Sequence, residues 1–322
     1  MDLDLTVYNG NPTRPVVIFI HGLGMDKNFW VNPLGTKIFA RNIPMKILAA
    51  TRPVPCPVRK RGKITVGNIP HKINSLWFAL RKKDYNLVCW SQRRPVGPIS
   101  VAVEELREIL EQTRRRFPRK SIALVGHSRG GLVARKLMEK KVPAIKALIT
   151  LSTPHKGSSL SRLGKYLAPV SPALKRILPK DTHGAISEVM KRTNDLLQGD
   201  ALKELLPGSV FFRELKDSPS SSIQYLSFGG TKTKLLTVYK WTRQDLKMYA
   251  RTLLTIPDSL IKILPASVVP PELIPGRGDF MVTAESAVLP WASSHYNLPA
   301  NHISITWNRK VISSALEVLD RI

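Results

Sequence analysis

The sequence is poor in cysteine, poor in acidic side chains and free of long apolar runs. It holds two cysteines in 322 residues, Cys56 and Cys89. That excludes the bridge-dense framework on which small secreted domains rely, and a chain of this length can bury a core without one. Cys89 stands in the apolar run Leu87-Val88-Cys89-Trp90 and reads as a buried thiol. Nowhere do about 18 apolar residues follow one another, so no membrane-spanning helix is expected. The greasiest segment, Leu253 to Pro275, is interrupted by Pro257, Asp258, Lys262 and Pro265. The opening stretch, MDLDLTVYNG, has acidic residues and no apolar core segment. It does not read as a secretory signal, and a cytoplasmic location is the expectation.

The shortage of acids sets the charge. Lys and Arg number 50 against 23 Asp and Glu, giving +27 and a pI near 10.4. Such a balance bears on solubility and on attraction to polyanions, not on fold. Nucleic acid and an anionic membrane surface are the two partner classes it could serve. Basic residues are spread from Arg14 to Arg321, which favours a generally basic surface over one dedicated face. Nucleic acid is therefore not the expected partner, and an anionic membrane surface stays a candidate. The densest run, Arg114-Arg115-Arg116 with Arg119-Lys120, falls at the end of an amphipathic helix, where cations complement the helix dipole.

What is present is more telling. The stretch SIALVGHSRGGLVARKL runs from Ser121 to Leu137. A bare G-x-S-x-G turns up by chance in roughly one chain in ten of this length, given ordinary glycine usage. Here its context raises its weight. Ile122-Ala123-Leu124-Val125 reads as a strand buried on both faces, and Leu132, Val133, Leu137 and Met138 recur at helical spacing. Strand, tight turn and helix form the setting in which Gly126 and Gly130 relieve crowding and Ser128 is held out above a sheet.

Further strands are expected at Val16–Ile20, Lys46–Ala50, Asn86–Trp90, Ile145–Leu151 and Ile223–Phe228, with helices at Val103–Arg116 and from about Asn308 to Ile322. Their alternation predicts an α/β class, a doubly wound, mostly parallel sheet. The core is expected over residues 1–154, 221–230 and 276–322. Two insertions, 155–220 and 231–275, are expected to form a mainly helical cap. Leu160, Leu163, Leu167, Leu253, Leu254 and Leu260 exceed what such short elements need for their own packing, and some are expected to line an apolar pocket.

A serine hydroxyl needs a base, and the base needs an orienting acid. In the elbow-type arrangement the chain order is Ser, then Asp or Glu, then His. Four histidines follow Ser128: His155, His183, His295 and His302. His302, in PANHISI just before the last helix, is the expected base, with His295 as its rival. Asp279, in GRGDFMV, is the expected acid, ahead of Glu285 and Asp258. Two backbone N–H groups are needed for an oxyanion. Arg129 supplies one, and the His21-Gly22-Leu23-Gly24 turn supplies the other, at Leu23.

Six segments, VVIFIHGLGMD, LVGHSRGGLVAR, LITLSTPHKGS, LLPGSVFFREL, GRGDFMVTAESA and ANHISI, together resemble the bacterial triacylglycerol lipase and esterase group of the α/β-hydrolase superfamily. The resemblance covers most of the expected core, with the segments in the family's order. It implies the α/β-hydrolase fold and cleavage of acyl esters without an organic cofactor. It carries the nucleophile to Ser128, the acid to Asp279, the base to His302 and the oxyanion region to His21-Gly22-Leu23. One departure is Phe280, where relatives often have glycine after the acid. No cluster with metal-ligand spacing is seen, so no metal is expected. Acyl transfer or amide hydrolysis on the same triad is an alternative. So is a basic protein that binds a polyanion or lipid on a hydrolase scaffold. Oligomeric state is not legible in the sequence.

Overall fold

The computed structural model describes residues 3–38, 43–50, 64–159, 200–245, 247–262, 265, 267 and 269–322. Twelve strands are described: β1 Asp4–Tyr8, β2 Val16–Ile20, β3 Lys37–Ile38, β4 Ile43–Pro44, β5 Ile64–Val66, β6 Asn86–Ser91, β7 Ile122–His127, β8 Ile145–Leu151, β9 Gln224–Gly230, β10 Leu236–Gln244, β11 Lys247–Ile256 and β12 Ser294–Leu298. Seven of them form the central sheet in the order β1-β6-β2-β7-β8-β9-β12. Only β1 is antiparallel to its neighbour; the other pairings are parallel. The doubly wound α/β expectation is met.

Continuous apolar strands occupy the middle of this sheet because both faces are covered. Every residue of β2 and β7 is buried. On one face, helix Ile99–Arg116 and helix Arg129–Met138 pack Leu106, Ile109, Leu132 and Val133 against Ile18 and Leu124. On the other, helix Arg309–Leu319 packs Val311, Ala315 and Leu319 against Val17, Phe19 and Val125. Burying each such Val, Leu or Ile contributes about 1.5–3 kcal/mol, so the two-sided core dominates stability.

Several elements differ from the expected ones. Lys46–Ala50 is not a strand of the sheet: Met45–Leu48 is a short helix. Pro44 precedes it, and Met, Lys and Leu are good helix formers, so the apolar run there belongs to a helix. The place of that strand is not filled from this segment. Instead β1 adds to the far edge through Asp4–Tyr8, with Leu3, Leu5 and Val7 alternating onto the core. The second insertion also departs from the helical expectation. Strands β10 and β11 pair antiparallel, and β5 extends them to three strands. Thr237, Val238, Tyr239, Trp241 and Thr242 are β-branched or aromatic and suit a pleated surface.

Leu253 and Leu254 lie on β11, Leu254 buried. Leu160, Leu163 and Leu167 lie outside the described residues, as do His183 and Cys56. Cys89 is buried on β6, and burial pushes its thiol well up from the ordinary value. Among the described residues no helix is long and apolar enough to cross a membrane.

Candidate active site

Ser128 sits between the end of β7 and the first turn of helix Arg129–Met138, with φ 53° and ψ −128°. A serine rarely adopts a positive φ, and here the surroundings force it. Its N–H donates to the Leu151 carbonyl at 2.9 Å, tying the turn to the end of β8. The flanking glycines are required by contact. A β-carbon on Gly126 would lie 2.5 Å from the Gly131 backbone, and one on Gly130 would lie 2.4 Å from the Ile20 carbonyl oxygen. Ser128 itself is buried, with 8% of its surface exposed.

His302 and Asp279 meet at the same end of the sheet. Asp279 Oδ2 lies 3.0 Å from His302 Nδ1, and both side chains are buried. Oδ1 of the same carboxylate accepts from the N–H groups of Met281 and Val282, at 3.0 and 2.8 Å. The His302 N–H in turn donates to the Asp279 carbonyl at 2.9 Å. The acid is thus fixed through both oxygens, and the two loops are joined through main chain as well as side chain. Asn301 holds the His302 loop by accepting from the N–H groups of Ile303 and Ser304.

Phe280 explains a departure noted in the sequence. Its φ is +92°, a region that glycine occupies without cost. The turn after the acid keeps the shape a glycine would give it, with a phenylalanine in its place. Phe280 packs against Leu273, and its N–H donates to the Glu272 carbonyl at 3.0 Å.

The residue before the serine reaches the base. His127 is buried, and its Nε2 lies 2.7 Å from the His302 carbonyl oxygen. That bond assigns the proton to Nε2, because a carbonyl can only accept. The His127 ring lies 4.8 Å from that of His302 and 4.7 Å from that of Phe29, centroid to centroid. Burial, and then the neighbouring His302, hold His127 well below the usual histidine range, so it is neutral.

The turn after β2 presses against the serine. A β-carbon on Gly22 would lie 3.0 Å from Ser128 Cβ. Leu23, whose N–H is the expected second oxyanion donor, is buried in this turn. His21 Nε2 accepts from the Gln92 N–H at 3.0 Å, so its Nδ1 carries the proton and donates to the Gly22 carbonyl at 3.0 Å. Burial pulls the His21 pKa down to about 4, against the Gly22 bond that raises it. Gln92 also donates to the His21 carbonyl at 3.2 Å and accepts from Arg129 Nη1 at 2.9 Å. Arg129 Nη2 reaches the Gly97 carbonyl at 2.5 Å. Burial lowers its pKa to about 10, with Glu204 and Glu105 opposing. One buried network therefore joins the β2 turn, the end of β6 and the residue after the serine.

The rival residues lie elsewhere. His295 is on β12, bonded to Ser227 Oγ at 2.8 Å and facing Asn297 Oδ1 at 3.0 Å. His155 is buried between Thr150 and Arg135. Glu285 is exposed and paired with Lys156. Asp258 opens the short helix Asp258–Ile261. Sequence reasoning missed His127 and Gln92. The first stood in plain view inside the motif; nothing in the local pattern marked the second. Among the described residues no group of three or more His, Cys, Asp or Glu could hold a metal ion.

The profile of the PGAP1-like alpha/beta domain matches residues 99–189, which include β7, Ser128 and the following helix. No curated protein matches the sequence. Among solved structures, a Bacillus licheniformis lipase in its propeptide form superposes with a TM-score of 0.55 at 16% identity, covering 98% of this chain and 53% of that one. This chain has the α/β-hydrolase fold. It spans about half the length of that propeptide form. The mature form of the lipase aligns with a TM-score of 0.49 and 17% identity over 98% of this chain and 97% of that one. A Pyrococcus furiosus esterase aligns with 0.47 and 16% identity over 99% and 86%. At these identities the likeness is one of fold, since α/β-hydrolases host many chemistries and function lives in the site.

Proposed function

We propose that this α/β-hydrolase cleaves carboxylic esters through an acyl-enzyme on Ser128. The observation that carries the reading is the buried Asp279–His302 pair at 3.0 Å, beside the strained turn that bears Ser128. His302, with Nδ1–H directed at Asp279, presents Nε2 as the base. Ser128 Oγ loses its proton to Nε2 and attacks the ester carbonyl carbon. The resulting oxyanion takes the N–H groups of Leu23 and Arg129. The tetrahedral adduct collapses as His302 returns the proton to the leaving alcohol. Water then repeats the cycle and releases the acid. Each oxyanion donor is worth about 10²–10³ in kcat in enzymes of this kind.

The buried network supports the assignment of the donors. Arg129 is turned inward to Gln92 and Gly97, so its side chain is committed to structure and its backbone N–H is the group left for substrate. The substrate class is acyl esters, lipid esters included. Turnover of a series of p-nitrophenyl esters of increasing acyl length tests the reading. Hydrolysis that is lost in Ser128→Ala supports it, and no turnover of any member would refute it.

A further inference from the structure

The basic run at the end of helix Ile99–Arg116 does more than complete a helix dipole. Arg114, Arg115, Arg119 and Lys120 close on Lys146 across the start of β7 and β8, around a concave groove of about 660 Å³. Glu111 is the one acid on its lining. None of the five cations forms an ion pair with a carboxylate among the described residues, whereas Arg14 pairs with Asp320 and Lys136 with Glu139. Lys120 and Lys146 are half-buried. Five cations and a single carboxylate on one groove leave a local excess of positive charge that an anion bound there would neutralise.

Two features of the backbone build this arrangement. Ile122 pairs with Ile145 but Ala123 pairs with Ala147, so Lys146 is the extra residue of a bulge. Bulges are uncommon in parallel pairs and re-aim a side chain where they occur. Arg119 has φ +60°, a left-handed conformation in the turn before β7. Phe117, Pro118, Pro143 and Ala144 give the groove an apolar wall beside the cations.

From this we infer a second ligand site: the groove binds a multiply charged phosphate compound of small-molecule size, with guanidinium groups gripping phosphate oxygens and the two lysines neutralising the buried side. The volume matches that of small-molecule sites, about 300–1,000 Å³. A guanidinium fork suits phosphate geometry. The site lies at the N-terminal ends of β7 and β8, whereas Ser128 follows the C-terminal end of β7. A bilayer bound there would be turned away from Ser128, and a flat surface would leave a groove unfilled. The inference does not depend on the ester-hydrolase reading.

Isothermal titration of the full chain with inorganic tripolyphosphate, and in parallel with ATP, tests it. Saturable binding at low salt is expected, weakening as NaCl rises, and weaker by at least tenfold in Lys120→Gln/Lys146→Gln. Arg115→Gln, at an exposed position, gives the same test without touching the half-buried lysines. Ester turnover stays unchanged in these variants. ATP binding tighter than tripolyphosphate places an organic group on the Phe117 wall; equal binding makes phosphate the whole ligand, and both support the site. No saturable binding, or binding unaltered in both variants, overturns it. So does binding confined to oligothymidylate and rising with its length, or confined to phosphatidylglycerol vesicles, since either makes the face a polymer or membrane surface.

Discussion

His127 Nε2 donates to the backbone carbonyl of His302 at 2.7 Å, while its ring lies against that of His302. The residue before the candidate nucleophile thereby fixes the loop of the candidate base. It is fully buried, so a role in turnover would act through His302. His127→Leu keeps the ring's bulk in part and removes the donor. The expected result is a fall in kcat of about tenfold with KM little changed, because loosening a base costs transition-state alignment more than ground-state binding. His127→Gln, whose side-chain amide can donate to the same carbonyl, should recover much of the loss. Steady-state kinetics of the pair, with circular dichroism to check folding, decides this. Equal activity of wild type and His127→Leu would remove the positioning role.

Buried neutral histidines make stability fall in acid. The His21 pKa is pulled from the usual 6.5 to about 4, mainly by burial. His127 and His155 are held down in the same direction. The unfolded chain takes up these protons near pH 6.5, whereas the folded chain resists until lower pH, so the unfolded state binds more protons in between. Stability therefore rises with pH across that window and is lost as pH falls through it. For His21 alone the change is about 3 kcal/mol. Urea unfolding at pH 7 and at pH 5 should show a clearly lower midpoint at pH 5, with a smaller drop in His21→Asn. A midpoint independent of pH between 7 and 5 would contradict the burial argument.

The turn at Ser128 carries backbone strain. Its φ of 53° and ψ of −128° suit glycine better than any residue with a β-carbon. Ser128→Gly should abolish ester turnover and yet raise the melting temperature by about 2 °C, from about 1 kcal/mol of relieved strain. Ser128→Ala should be equally inactive, losing on the order of 10⁶ in kcat, with no gain in stability. Differential scanning calorimetry on both variants checks the contrast. A less stable glycine variant would mean the turn is not strained.

The acid and the base can be told from their rivals by kinetics. Asp279→Asn should lower kcat by about 10⁴ through the wrong histidine tautomer. His302→Ala should be as damaging as loss of the serine. His295→Ala, which breaks only contacts to Ser227 and Asn297, should be mild. Reversal of the two histidine phenotypes would move the base to His295, and a dead Glu285→Gln with an active Asp279→Asn would move the acid.

Much of the sheet was legible because its central strands are buried on both faces and read as apolar runs. Val16–Ile20, Ile122–His127 and Ile145–Leu151 belong to that class. At the margins the signal fails. Asp4–Tyr8 is an edge strand covered on one side, so half of its residues are polar. Met45–Leu48 carries an apolar run too short for its period to separate helix from strand. The β10–β11 pair mixes polar and apolar side chains on both faces, and β12 is a short edge strand. Candidate site residues were legible through chain order, because Ser128, Asp279 and His302 occur in the required sequence. His127 and Gln92 were not, since their roles arise only where the β2 turn, the β6 end and the His302 loop converge.

Mass spectrometry of the protein after reaction with a fluorophosphonate ester shows whether Ser128 is the nucleophile. Such a reagent is attacked by an activated serine and stays attached. A single adduct is expected, mapped to the peptide that holds Ser128 and forming quickly in wild type. It should form far more slowly in His302→Ala, which keeps the serine and lacks the base. An enzyme that hydrolyses esters yet carries the adduct elsewhere, or labels Ser128 at the same rate without His302, would contradict the proposed mechanism.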